Sequence, residues 1–319
     1  MRTHDSKPLP RNTMLGVVLS FFGLATGVLT NAFGAEAWST SVALPTARAN
    51  SGACVLNGVI YVIGGQTGIP NIMTGANEAF NPASSLWSTF ASMPTARRGV
   101  GIATANGKIY AMGGFNGSYL SANEEYDPDT DSWTTKASMP TPRSDVAIAS
   151  VNNLIYVIGG SNGGADLSVN EVYNPATDSW STLTSMPTAR GNTAVGVISG
   201  QIYVIGGAGF GNTLGANEAY NPTTDSWTSK ASMITPRYSH VAVVSNTTVF
   251  AIGGLNNSSS WLATNEAYDS VSDTWTTLTS ISPLKKGSKN VAGYYTPKAS
   301  AAATIYKDEG KVDGNGQER

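Results

Sequence analysis

Five arginines recur at nearly constant spacing in this 319-residue chain: Arg48, Arg97, Arg143, Arg190 and Arg237. A guanidinium is a planar fork of donors that matches a carboxylate, so five of them at one place suit a carboxylate ligand or an acidic peptide. Five glutamates keep the same period: Glu78, Glu124, Glu171, Glu218 and Glu266. They supply the competing reading, in which each arginine closes on a glutamate inside its own repeat. The residues that break the repeat carry a different chemistry. Arg98, Asp145 and Tyr238 are local exceptions just behind repeated arginines, and Phe115, Tyr119, Phe210 and Trp261 are aromatics with no counterpart in the other copies. Beside Asn and Asp, such rings stack on a sugar or anchor a peptide. The plainer alternative is that they fold back over the protein.

Other chemistries are poorly provided for. The chain holds 2 histidines, His4 and His240, and no cluster has metal-ligand spacing, so neither metal nor cofactor is expected. His240, among apolar neighbours, reads as a satisfied core residue. The single cysteine, Cys54, lies on an apolar stretch and reads as a small core residue with no disulfide partner. A formal charge of −2 provides no basic face, which argues against nucleic acid.

These residues must be positioned by a repeat. Glycine pairs stand at Gly64-Gly65, Gly113-Gly114, Gly159-Gly160, Gly206-Gly207 and Gly253-Gly254, and Trp38, Trp87, Trp133, Trp180, Trp227 and Trp275 follow the same period. Residues 186–233 show one copy. Met186–Arg190 is a connection, Ala194–Ser199 a first strand, and Ser199-Gly200 a tight turn that other copies make with Asn57-Gly58 and Asn106-Gly107. Ile202–Ile205 is a continuous β-branched and aromatic run, so a strand buried on both faces. Asn217–Tyr220 is the third strand, Asn221–Asp225 a turn, and Ser226-Trp227-Thr228 opens the fourth strand. Each copy is thus a four-stranded antiparallel meander with two apolar faces, and radial stacking buries both. In such a meander the connections carrying the repeated arginines and the loops after the glycine pairs share one end. Those loops vary between copies, and variable loops on a fixed scaffold are where binding resides.

The double glycine, the Tyr about a dozen residues later, the Trp beyond it and the Met-Pro-Thr-x-Arg connection resemble the kelch family, over about residues 36–281 in five copies. The resemblance implies an all-β propeller. In kelch substrate adaptors, arginines at positions matching Arg48, Arg97, Arg143, Arg190 and Arg237 help hold an acidic peptide. Trp38 supplies a lone outer strand, and Asn290–Tyr295 and Ala301–Tyr306 are offered as strands to close with it. Six blades, the last degenerate or incomplete, are therefore expected over residues 38–281 with the tail 282–319, and five blades is the alternative.

Residues 1–37 stand apart. Arg2, Lys7 and Arg11 precede the uncharged apolar run Met14–Leu29, and small residues follow to Ala37. This order describes a signal peptide, and an uncleaved anchor is the alternative. The body is accordingly expected outside the cytoplasm: secreted, periplasmic or at the cell surface. The functional expectation is a non-catalytic recognition module binding a protein, an acidic peptide or a glycan, with a membrane involved only if the leader is retained. The alternative is a sugar-processing enzyme resembling the sialic-acid mutarotase or epimerase kind, with Arg98 beside Asp145 or Glu125 as its candidate machinery.

Overall fold

The structure, a computed structural model, describes residues 16–18, 40–68, 72–280 and 293–294. Among them every regular element is a β-strand. Five four-stranded antiparallel sheets follow one another along the chain. The first runs Gly52–Leu56, Val59–Ile63, Asn77–Asn81, Leu86–Phe90; the fourth runs Ala194–Ile198, Gln201–Ile205, Asn217–Asn221, Ser226–Lys230. Each is a simple meander in which sequential strands pair. Five four-stranded blades is the alternative of the sequence reading and corrects its six. Of the segments offered for a closing sheet, Gly293–Tyr294 pairs in parallel with Gly16–Val18, which pairs antiparallel with Thr40–Ser41. The rest of those segments, and most of the leader, lie outside the described residues.

The second strand of the first four blades is deeply buried, as its uninterrupted apolar run requires: Val62, Ile109, Val157 and Val204 have no exposed surface. Apolar side chains of successive blades merge into shared clusters. Tyr61 and Ile63 of the first blade pack with Ile102, Ile109 and Tyr126 of the second, and the same arrangement recurs round the ring. Ala53, Ile60 and Phe80 of the first blade share a buried cluster with Val241, Val243 and Ile252 of the fifth.

Polar clamps join the blades at their outer edges. The indole N–H groups of Trp133, Trp180, Trp227 and Trp275 donate to Ala91, Ala137, Thr184 and Ala231 of the preceding blade. The carboxylates of Asp131, Asp178, Asp225 and Asp273 accept from the backbone N–H groups of those same four residues and from a tyrosine hydroxyl of their own blade. These donors hold Asp178, Asp225 and Asp273 below the usual carboxylate range, the tyrosine leading for the first two and the backbone N–H for Asp273. The Tyr and Trp of the second to fifth repeats therefore work between blades, as their size and polar tips suit them to do.

Candidate functional site

The five repeated arginines lie inside the blades, each 0–1% exposed. Arg97 Nη1 meets Glu124 Oε2 at 2.5 Å and donates to Thr95 O, while Nη2 donates to Ala111 O at 2.9 Å. Arg48–Glu78, Arg143–Glu171, Arg190–Glu218 and Arg237–Glu266 repeat the pair. The glutamate's other oxygen accepts from the threonine hydroxyl of the connection, Thr46, Thr95 or Thr141, at 2.6 Å in the first three blades. Burial pulls the guanidinium pKa of Arg97, Arg143, Arg190 and Arg237 down, and the paired glutamate opposes it. Each pair ties the connection that enters a blade to that blade's second and third strands.

Next to these arginines the chain turns into the mouth of the axial channel. Asn50, Gly99, Asp145, Asn192 and Ser239 all adopt φ between 50° and 59°. Their peptides form a chain around the mouth: Gly99 N–H donates to Asn50 O, Asp145 to Gly99, Asn192 to Asp145 and Ser239 to Asn192, at 2.8–3.0 Å. Asn, Gly, Asp and Ser tolerate this left-handed backbone better than branched or bulky residues do, which is the signal the sequence offered for the ring. Burial raises the Asp145 carboxyl above its ordinary range, against the Ser144 hydroxyl that donates to it at 2.6 Å and the nearby charge of Arg98.

Outside the ring stands a crown of loops. Antiparallel bridges join Ala49 to Gln66, Arg98 to Phe115, Ser144 to Ser161, Gly191 to Ala208 and Tyr238 to Leu255, so the connections and variable loops do share one end. Neighbouring loops interlock. Tyr119 lies so close to Gly163 that a Cβ there would meet its ring at 2.5 Å. Asp166 accepts from Phe210 N–H, and Asn257 accepts from Thr213 N–H.

The structure brings the unrepeated residues together on this crown. The Arg98 guanidinium sits 5.1 Å from the Phe115 ring centre, and Phe115 meets Tyr119 edge to face at 5.1 Å. Tyr238 reaches Ser259 through its hydroxyl at 3.4 Å. Phe210 is 79% and Trp261 45% exposed. Phe210 caps the two-residue hairpin turn Phe210-Gly211 with φ 54°, a position where Asn is favoured and a bulky residue is strained. Glu125 is elsewhere: it accepts from Tyr110 at 2.5 Å and pairs with Lys136 at 3.3 Å along the blade face.

The channel has two chambers. The one nearer the crown is lined by Gly52, Val100, Val146, Thr193 and His240 among others; the one beyond is apolar, with Cys54, Ile102, Ile148, Val195 and Val244. Burial pushes the Cys54 thiol pKa up, keeping it protonated. His240 is buried as the sequence suggests, but it is not satisfied: neither ring nitrogen has a hydrogen-bond partner. No group of three metal-ligating side chains occurs among the described residues.

With this geometry in place, the sequence matches the profile of the KLHDC2/KLHL20/DRC7 Kelch-repeats domain over residues 27–160 and 134–296. No curated protein matches the chain. Among similar solved structures, one described as "Structure of YjhT" superposes with a TM-score of 0.68 at 15% identity, covering 77% of this chain and 89% of that one; this likeness is one of fold.

Proposed function

The chain belongs to the kelch-repeat β-propeller family, and from that premise we propose that it is an exported, non-catalytic recognition module that binds a protein or peptide on its crown. The kelch fold supports a protein-binding module in general. The observation that carries the crown reading is Phe210, 79% exposed on a strained left-handed turn whose N–H is fixed by Asp166 of the neighbouring loop. A bulky ring held in that conformation at the cost of backbone strain points to use of the ring. Trp261, Tyr238 and the Arg98–Phe115 stack surround the mouth with further anchors of the types that dominate binding energy. The five repeated arginines serve the scaffold in this reading, since each is closed on its glutamate. Export rests on the basic, apolar and small-residue order of residues 1–37.

A second reading keeps the same mouth for sugar chemistry. Asp145, its carboxyl pKa raised by burial against the opposing charge of Arg98, is the group suited to exchange a proton there. A peptide display library and a glycan array, both presented to the full chain, separate the two. The recognition reading expects a ligand that is kept by the parent and lost by a Phe210→Ser, Tyr238→Ser, Trp261→Ser variant with an unchanged unfolding transition. Binding that survives this triple change, or anomer exchange that stops in Asp145→Asn, would overturn it.

A further inference from the structure

The two ends of the propeller differ in charge. At the end away from the crown, the turn before the fourth strand carries an aspartate in each of the second to fifth blades: Asp131, Asp178, Asp225 and Asp273. The variable loops of the crown, residues 66–76, 115–122, 161–169, 208–216 and 255–264, hold a single charged residue between them, Asp166. That carboxylate is engaged within the crown, where it accepts from Phe210 N–H. The guanidinium at the mouth, Arg98, lies over the Phe115 ring and within electrostatic reach of Asp145. Polar side chains of the loops are engaged in the same way. The Asn162 carbonyl accepts from Gly164 and Ala165 N–H, that of Asn256 from Ser258 and Ser260, and that of Asn257 from Thr213 of the preceding loop. The bonds from Phe210 to Asp166 and from Thr213 to Asn257 join the third, fourth and fifth loops, so docking need not order them. The large side chains most exposed at this end are apolar. Ile72, Phe210 and Trp261 are exposed on the loops, and so is Ile234, at the place where Pro45, Pro94, Pro140 and Pro187 stand in the other connections.

We propose that the partner of the crown is a polypeptide segment without net charge, anchored by an apolar side chain against Phe210 and Trp261, and that its affinity is nearly independent of salt. The proposal rests on the crown being the docking face and adds what docks there. Phe210 and Trp261 stand on neighbouring loops joined by the Thr213–Asn257 bond, so one apolar anchor meets rings that are already held. The centres of protein interfaces are depleted in charge and rich in aromatic rings, and a surface without free ions docks without stripping water from a charge. Long-range steering has no source on these loops, because their one carboxylate is engaged. A glycan would call on convergent polar side chains, and here the acceptor oxygens of Asn162, Asp166, Asn256 and Asn257 already serve the loops.

The test pans a displayed library of random peptides on the full chain, in parallel at about 0.05 and about 0.5 M NaCl, a range across which attraction between exposed charges is strongly screened. Both selections are expected to enrich the same peptides, rich in apolar residues and without net charge. Synthetic copies of them should change affinity by less than about twofold between the two salts. They should weaken by at least about tenfold on the double change Phe210→Ser, Trp261→Ser. Both rings are exposed, and the unfolding transition of that variant, compared with the parent's, shows that the fold is kept. Enriched peptides that carry net charge and lose about tenfold in affinity with salt, yet are still lost in the double variant, would overturn this proposal and leave the crown as the docking face. Peptides that bind the double variant as well as the parent would overturn both. An empty peptide selection, or capture of neutral oligosaccharides alone on a glycan array, would rule out the polypeptide partner.

Discussion

Arg97 and Arg98 are adjacent in the chain and live in opposite worlds. Arg97 points into its blade, has no exposed surface and is closed on Glu124, Thr95, Ala111 and Gly113. Arg98 points to the crown, lies over the Phe115 ring and makes no ion pair among the described residues. The first kind of residue recurs in every blade and the second in one. The comparison teaches that in a repeat protein recurrence marks the groups that build the unit, whereas the exceptions are the groups left over for recognition.

The sharpest way to break that comparison is to unpair one buried partner. Glu171→Gln leaves the Arg143 guanidinium buried without its counter-charge, and a loss of about 3–5 kcal/mol in urea unfolding is expected. Arg143→Met combined with Glu171→Leu should recover most of it, because the loss comes from the orphaned charge. The blade-to-blade clamps come next. Trp227→Phe removes the N–H that reaches Thr184 of the preceding blade and should cost about 1 kcal/mol, read as a lower urea midpoint. The crown should respond with the opposite sign. Phe210→Asn installs Asn-Gly at a left-handed turn and is expected to raise stability by about 1 kcal/mol while removing any ligand found by display. An unchanged or lowered stability would show that the Phe210 backbone is not under strain.

The smallest effect depends on pH. The folded-state pKa of Asp145 is raised above its unfolded value, so its folded state gains in relative terms when protonated, and that advantage is lost as pH rises through the raised value. Asp145→Asn should therefore gain on the parent as pH climbs above the ordinary aspartate range and match it more closely in acid. Urea midpoints measured across that range check the sign.

Much of the scaffold was legible because it is local. The apolar run read as Ile202–Ile205 is the core of the strand Gln201–Ile205, and the turn at Ser199-Gly200 falls where its residue types place it. Trp227 repeats at a fixed distance from Tyr220, so their shared place between blades could be read from spacing and size. What escaped the sequence depends on contacts between residues a whole blade apart. The peptide chain around the mouth links positions such as Asn50 and Gly99, and only their tolerance of a left-handed backbone hints at it. The same spacing of Arg and Glu fits an open basic face and a set of closed pairs equally well; only the geometry decides between them. His240 reads as satisfied from its apolar neighbours in sequence, whereas its ring packs against Gly206 of the neighbouring blade with neither nitrogen hydrogen-bonded, which no local pattern reveals. Six blades were expected from the lone Trp38 and the apolar stretches of the tail, whereas the described residues form five four-stranded sheets.

The unfolding free energies of Arg97→Met and Arg98→Met, measured in the same denaturant at neutral pH, test the distinction between scaffold and crown most directly. The expected loss is about 3 kcal/mol or more for Arg97→Met, which strands Glu124 in the interior, and about 1 kcal/mol or less for Arg98→Met, which gives up a stack on Phe115 and a minor charge interaction with Asp145. Equal losses, or a greater loss at Arg98, would contradict it.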